Sequence, residues 1–447
     1  MTAPSGSGRR PALPEGPFLV CGLARSGQAV ARVLARMGET VVAVDSASPD
    51  GAGGLAADGV EVHLDGTGED LVRRVRTIVK SPGVPGNVPV LEAARSAGLP
   101  VLGELEIGWR LTSGPVIAVT GTNGKTTVTE MAGHLMHAAG REVAVAGNVG
   151  RPISDLAGKP EAEATIVAES SSFQLEDCDG FAPEVAVFLN ISPDHLDRHG
   201  TMESYRSAKL RIFEHQTADD FAVVPLGENL DDVGGQATRV TFGGAGADLA
   251  VVEGTLRWRG TEILGQGDLK LPGAHNLLNA AAASAACISL GVDPAVAGEA
   301  LRSFPGVPHR LELVAEAGGV RWFNDSKSTN VASTLTALAS LDRPAHLILG
   351  GQGKGQDFSA LAEAVDQACV SVSLIGEAAD EIARSLPRLR IPVVDEGDLA
   401  AAVESLRGRA RPGEAVLLSP ACASFDQFSD FEHRGVAFRS LVKGASR

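Results

Sequence analysis

Aromatic side chains make up only 4% of the 447 residues, too few to suggest the stacking platforms on which single-stranded nucleic acids are held. Cysteine is equally sparse. Cys21, Cys178, Cys287, Cys369 and Cys422 are scattered, odd in number and without a C-x-x-C pair. That pattern excludes a disulfide framework or zinc ribbon and fits a reducing compartment. Positive charge is in deficit, 39 Lys and Arg against 55 Asp and Glu, for a formal net charge of -16. Such a field repels phosphate backbones and anionic lipid, so neither nucleic acid nor a membrane surface is an expected partner. No uninterrupted apolar run is long enough to cross a bilayer. Residues 1–16 carry Arg9 and Arg10 with no apolar stretch behind them, and read as a flexible tail rather than an export signal. A cytoplasmic protein is expected.

What is present is ordinary for a folded chain: 44% hydrophobic and 21% charged residues, with 53 glycines that fit tight turns or phosphate-cradling loops. At roughly 150 residues per domain, the length predicts about three domains. The pattern of segments agrees. FLVCGLARSGQAVARVLARMG followed by TVVAVD reads as strand, glycine turn, helix and strand, the opening of a parallel α/β sheet, and TIVKSPG adds a strand ending in a turn. PVIAVTGTNGKTT restarts the pattern, continued by strands at ATIVAES and VAVFLN. Residues 217–272 alternate in short runs with glycine turns and predict a small antiparallel excursion, after which NLLNAAAASAACISLG predicts a long alanine-rich helix. A third restart offers five strand candidates: RWFNDS, HLILGG, SVSLIG, IPVVD and AVLLSP.

The chemistry concentrates in Gly121-Thr122-Asn123-Gly124-Lys125-Thr126-Thr127, between an apolar strand and a helix. Glycines let backbone N–H groups converge on phosphate oxygens, and the helix N-terminus adds partial positive charge. Lys125 is placed to reach the β and γ phosphates and the Thr126 hydroxyl to ligate Mg2+, so ATP binding is expected. The loop is shorter than G-x-x-x-x-G-K-[ST] and matches it only in part. Carboxylates or imidazoles that hold metal belong at the carboxyl ends of later strands. Glu169 ends ATIVAE, and Asp194, His195 and Asp197 follow VAVFLN. The first turn, Gly22 to Gly27, lacks the middle glycine of a dinucleotide fingerprint, although Asp45 follows the next strand.

Taken together, GTNGKTT, AESSSFQLE, LNISPDHLDRHG, SYRSAKLRIF, GAHNLLNAAAA, PHRLE and NDSKSTN resemble the Mur ligases of peptidoglycan synthesis. NDSKSTN and SPACASFDQFSDFEHRG resemble the branch that adds D-glutamate. The resemblance runs from about residue 17 to the C-terminus. It implies an α/β protein of three domains: a Rossmann-like UDP-binding domain (17–104), a central P-loop-type ATPase domain (105–308) and a Rossmann-like C-terminal domain (309–447) that contacts ATP and holds the amino acid.

The implied partners of a monomeric protein are UDP-N-acetylmuramoyl-L-alanine and D-glutamate, with ATP and two Mg2+ ions. Carried over position by position, Lys125 and Thr126 match the phosphate-loop lysine and metal hydroxyl, Glu169 the magnesium carboxylate and His195 the second-metal histidine. Lys209 matches a lysine that the family carbamoylates with CO2, whereas the residues alone read it as a solvated helix lysine. Asn276, Asn279, His309, Arg310, Asp325 and Lys327 match nucleotide contacts and the domain hinge. Arg25, Ser26, Gly27, Asp45, Ser81, Pro82, Gly83 and Asn148 match UDP-sugar contacts, with His195 beside them. Thr329, Lys354, Ser424 and Phe431 match a D-glutamate pocket. Gln352 departs from the acidic residue expected there. A folylpolyglutamate synthase, an NAD(P)-dependent oxidoreductase and a non-catalytic ATP-binding regulator remain alternatives. The roughly 100 residues before GTNGKTT, the missing glycine and the metal set weigh against each in turn.

Overall fold

Short runs of β-branched and aliphatic residues, buried along their whole length, build eight of the twenty strands among the described residues. Such runs suit parallel sheets covered on both faces. The computed structural model describes residues 10–230, 233–265, 267–271, 273–353, 355–386 and 389–444. The chain divides into two compact units, Met1–Lys270 with Ala274–Phe304, and Leu271–Gly273 with Pro305–Arg447.

In the first unit, β1 (Phe18–Cys21), β2 (Val41–Val44), β3 (Glu61–His63), β4 (Thr77–Lys80) and β5 (Val101–Gly103) form a parallel sheet in the order 3-2-1-4-5. The order reverses between β1 and β4, so the loops after these strands meet at the switch point, where open α/β sheets bind ligands. Ser81 Oγ there donates to the Gly22 carbonyl at 2.7 Å.

A second sheet in the same unit contains β6 (Val116–Thr120), β7 (Val143–Gly147), β8 (Thr165–Glu169), β9 (Val185–Phe188), β10 (Phe221–Pro225), β11 (Thr238–Gly243), β12 (Leu249–Val252), β13 (Thr255–Trp258) and β14 (Thr261–Leu264). Their order is 14-13-12-11-10-9-6-8-7. The antiparallel excursion expected over 217–272 is realised only at its far end. Strands β10 to β12 continue the sheet in parallel, and antiparallel pairing begins at β12–β13. The reversal there uses Glu253 and Gly254, both at positive φ, as the tight turn of a hairpin requires. The alanine-rich helix Ala274–Ser289 buries nearly its whole second half and packs on the helix Lys125–Ala138, because alanine lets two backbones approach closely.

Arg10 lies within the segment expected to be a flexible tail, yet its guanidinium donates to the Trp109 carbonyl at 2.9 Å and to Thr112 Oγ1 at 2.6 Å, and also to the Thr112 and Gly114 carbonyls. It thereby ties the segment before β1 to the end of the helix Glu104–Arg110 and the residues that follow it.

The second unit is a single sheet: β15 (Glu312–Ala317), β16 (Val320–Asn324), β17 (Ala345–Gly350), β18 (Cys369–Ile375), β19 (Val393–Gly397) and β20 (Ala415–Leu418), in the order 15-16-20-17-18-19. The five expected strands are β16 to β20. An antiparallel edge strand, β15, is added through the turn at Gly318 and Gly319. Among the described residues, no helix is long and apolar enough to cross a membrane.

Candidate active site

Strand β6 sits between β8 and β9, and all three run in the same direction. The loops leaving their carboxyl ends therefore converge, and each carries part of the site. After β6 comes Gly121–Gly124, with Gly124 at φ 88 and no side chain capping the helix that follows. A Cβ on Gly124 would stand 2.5 Å from Asn279 Oδ1, so glycine is required for the loop to lie against the Ala274–Ser289 helix. Asn279 Nδ2 in turn donates to Asn276 Oδ1 at 3.2 Å, and the structure thus brings both asparagines to the start of the loop helix. Lys125 Nζ folds back to the Gly121 and Thr122 carbonyls, at 2.9 Å each.

The last residue of β8 is Glu169, which is 3% exposed. Its Oε2 accepts from Thr126 Oγ1 at 2.7 Å and its Oε1 from Asn148 Nδ2 at 3.0 Å. Asn148, matched to the UDP-sugar, is here a hydrogen-bond partner of Glu169. After β9 comes Asn190, which braces the phosphate loop on three sides. Its Oδ1 accepts from Asn123 N at 2.9 Å, its Nδ2 donates to the Asn123 carbonyl at 3.0 Å, and its own carbonyl accepts from Thr122 N at 3.0 Å.

The reading of Lys209 as a solvated helix lysine is overturned: the side chain is 1% exposed and Nζ donates to the Gly121 carbonyl at 2.8 Å. The hydroxyl-rich helix Met202–Leu210 turns this face inward together with Tyr205, whose ring lies 4.5 Å from Nζ. Burial, and then the charge of Lys125, bring the Lys209 ammonium down to about 7, against the opposite pull of Asp194 and Glu169. His195, at φ 52, is about half exposed, with its ring centroid 4.8 Å from that of Phe173 and Nε2 3.6 Å from Asp194 Oδ2. Asp197 falls in the short helix Leu196–His199.

Thr126 and Glu169 offer a hydroxyl and a carboxylate, hard oxygen donors of the kind Mg2+ prefers. Two buried hydroxyls beside them, Thr120 Oγ1 and Ser170 Oγ, have no hydrogen-bond partner among the described residues. Among the described residues no three His, Cys, Asp or Glu side chains gather as an all-protein metal cage. The donor set therefore fits a cation that takes its remaining ligands from phosphate oxygens and water, the usual habit of Mg2+.

At the first switch point the geometry is different. A Cβ on Gly27 would lie 1.8 Å from the Gly22 carbonyl, so Gly27 serves helix–strand packing. Asp45 accepts from Leu23 N at 2.6 Å and Ala47 N at 2.9 Å, and so shapes the turn. Ser26 opens the helix Arg25–Arg36, and the exposed Arg25 donates to the Gly150 carbonyl at 3.0 Å. Ser81 is buried, with Pro82 and Gly83 following on the surface.

In the second unit, Asp325 is buried at the end of β16. Its Oδ1 accepts from Leu311 N at 3.1 Å and its Oδ2 from Ser419 Oγ at 2.7 Å. Burial pushes this carboxyl up, while its hydrogen bonds and Arg310 pull it down. Lys327 Nζ stands 5.6 Å from the Phe431 ring centroid, and Thr329 N donates to the Lys327 carbonyl at 3.0 Å. His309, at φ 62, is buried with Nδ1 2.9 Å from Asn324 Nδ2. Ser424 is buried beside Ala423, which exchanges backbone hydrogen bonds with Gln352. Lys354 lies outside the described residues.

Three family models match consecutive stretches: the Mur ligase MurD-like N-terminal domain over residues 17–103, the Mur ligase middle domain over 119–287, and the Mur ligase glutamate ligase domain over 309–422. The UDP-N-acetylmuramoylalanine–D-glutamate ligase of Pelotomaculum thermopropionicum is 42% identical over 95% of this chain and 96% of its own. The protein of the same name from Legionella pneumophila (strain Paris) is 40% identical over 96% and 99%. The chain belongs to the Mur ligase family. The fold of this Mur ligase is likewise similar to that of the MurF ligase from Thermotoga maritima solved with ADP, at a TM-score of 0.60, 20% identity and 96% coverage of each chain.

Two residues, one in each unit, escaped the sequence reading. Asn190 carries no chemical signature beyond ending a strand. Arg434 was assigned no role and is 1% exposed. Its Nε donates to Ser326 Oγ at 2.9 Å, and its Nη atoms donate to the Ser326, Cys422 and Ala423 carbonyls at 2.9 to 3.1 Å. It holds the NDSKSTN and SPACASF loops together, and burial lowers it to about 10. The signal for it was present: the arginine stands within SDFEHRG, one of the segments that carry the resemblance.

Proposed function

We propose that the protein is the ATP-dependent ligase that joins D-glutamate to UDP-N-acetylmuramoyl-L-alanine in cytoplasmic peptidoglycan precursor synthesis, releasing ADP and phosphate. The observation that carries this reading is identity of about 40% over nearly the whole chain to ligases named for that reaction. The match of residues 17–103 to a MurD-like N-terminal domain disfavours a folylpolyglutamate synthase. Functional boundaries near residues 104 and 308 and a monomeric state complete the reading.

A carboxylate is a poor electrophile because its charge repels a nucleophile and oxide leaves badly. Transfer of the γ-phosphoryl group to the substrate carboxylate removes both obstacles. The amine of D-glutamate then attacks the acyl phosphate, and the tetrahedral intermediate collapses with loss of phosphate. The amides of Gly121 to Thr127 and the ammonium of Lys125 hold the nucleotide phosphates and the charge that develops on them. Asn276 and Asn279 face the same loop. Thr126 and Glu169 would hold the first Mg2+, and His195 with Lys209 as its carbamate would hold the second. Ions held there would neutralise phosphate charge and make the γ-phosphorus a better electrophile. Lys209 is suited to CO2 because a buried amine that loses its proton near neutrality is nucleophilic there. The reaction forms an N–C bond and releases one proton. Arg25, Ser26, Gly27, Asp45, Ser81, Pro82, Gly83 and Asn148 line the way for the UDP-sugar. In the second unit Thr329, Ser424 and Phe431, with Lys354, receive the two carboxylates of D-glutamate.

An amino-acid panel tests the reading. Phosphate release from ATP is expected only with UDP-N-acetylmuramoyl-L-alanine and D-glutamate together. Equal turnover with L-glutamate or L-lysine would overturn the substrate assignment.

A further inference from the structure

Between the first switch point and the phosphate loop lies a stack of side chains of which the proposed chemistry uses only His195. The Arg198 guanidinium sits over the Phe173 ring, 3.9 Å from Cζ to the centroid. Its Nη1 donates to the Pro82 carbonyl at 2.7 Å and its Nη2 to the Val84 carbonyl at 3.4 Å, while Nη2 lies 3.6 Å from Glu176 Oε2. One residue on, His199 is held from the same short helix. Its Nδ1 is 3.0 Å from Glu176 Oε1 and its Nε2 is 3.0 Å from Ser172 Oγ, and its ring stacks on Phe173 at 18° between planes. His195 and Tyr205 complete the group, and the Tyr205 hydroxyl is 3.3 Å from Thr122 Oγ1 in the phosphate loop.

We propose that Arg198 is a positioning residue for the UDP-linked substrate, fastening the Ser81–Val84 turn of the first sheet to the segment that carries His195. The proposal rests on the assignment of that turn to the UDP-sugar. The chemistry favours arginine. A planar fork satisfies two carbonyls of one turn while its face lies on an aromatic ring, and a single ammonium cannot do both. The two sheets are separately tied by the buried ion pair of Lys80 Nζ and Asp177 Oδ2 at 2.5 Å. Loss of Arg198 therefore loosens the turn while leaving the sheets joined.

The test uses the full-length protein with Arg198→Ala and Arg198→Lys. Arg198→Ala should raise the KM for UDP-N-acetylmuramoyl-L-alanine about tenfold, the equivalent of one hydrogen bond from a charged donor. The KM for ATP should change less than about twofold on the same scale. Arg198→Lys should recover only a small part of the loss. In ligand-free protein, hydrogen exchange should quicken at residues 82–86, where Val84 N donates to the Ser81 carbonyl, and stay unchanged in the phosphate loop. Equal rises in both KM values, full rescue by lysine, or faster exchange throughout the unit would overturn the proposal. If the wild type shows no turnover with D-glutamate, the proposed function fails, and the exchange experiment still decides the role of Arg198.

Discussion

The first unit contains two glycine-rich turns between a parallel strand and a helix, and they are put to different uses. In the Gly22–Gly27 turn the polar groups are spent on the turn itself: Asp45 on the Leu23 and Ala47 amides, Ser81 on the Gly22 carbonyl, and Gly27 on close packing. In the Gly121–Thr127 turn two ammonium groups, Lys125 and Lys209, meet at one carbonyl, and a hydroxyl and a carboxylate pair beside them. Glycine supplies the path of the backbone in both. The side chains gathered at each turn are what differ, and on that difference the proposed function assigns the chemistry to the second turn.

The comparison breaks most sharply at Lys125. Lys125→Ala is expected to cut ATP turnover by at least about a hundredfold, the scale of losing one charge-stabilising donor, with little change in the unfolding temperature. Phosphate release and a thermal melt read the two effects, and retained turnover would sink the phosphate-loop assignment.

Next comes Lys209. Because it sits at about 7 against 10.5 in an open chain, it is mostly protonated below pH 7 and mostly neutral above. CO2 capture needs the neutral amine. At a fixed CO2 concentration the rate of carbamate formation should thus fall about tenfold for each pH unit below 7 and level off above it. The same sign makes stability rise with pH between the two values, since the folded state binds fewer protons there than the unfolded chain. Activity measured across pH with and without added bicarbonate checks this, and a profile indifferent to bicarbonate would count against the carbamate.

Gly27→Ala probes the other turn. A methyl 1.8 Å from the Gly22 carbonyl forces the helix off β1, at a cost of about 1–3 kcal/mol. Denaturant unfolding should show the loss, and a stability equal to wild type would mean that the close approach is not obligatory. The smallest effect is expected from Asp45→Asn, which keeps one acceptor for two amides and should cost about 1 kcal/mol by the same measurement.

Legibility followed the same division. Strands β1, β2, β4, β6, β8 and β9 were readable because each is a run of apolar residues ending at a glycine or polar motif. Strands β3 and β5 have three residues each, and β15 is a half-exposed edge, so none of them produces a run. The parallel continuation through β10 to β12 was hidden because the direction of pairing leaves no mark in short alternating segments. Functional groups with their own chemistry, such as Lys125 and Glu169, were visible from residue type and place. Lys209, Asn190 and Arg434 were hidden because their importance lies in burial and in backbone partners, which are settled by tertiary packing.

Strand β8 has one further consequence. Glu169 is its last residue, opposite Val119 on one side and Gly147 on the other. A slip of a single position along either ladder would turn the carboxylate to the opposite face of the sheet. What prevents the slip is the apolar run Ile166, Val167 and Ala168, fully buried on both faces. The aim of the acidic group is therefore set by oily residues that never approach a substrate. Evolutionary change at those positions is constrained by alignment as much as by stability, and a small fault in the interior would be felt first as a misdirected carboxylate.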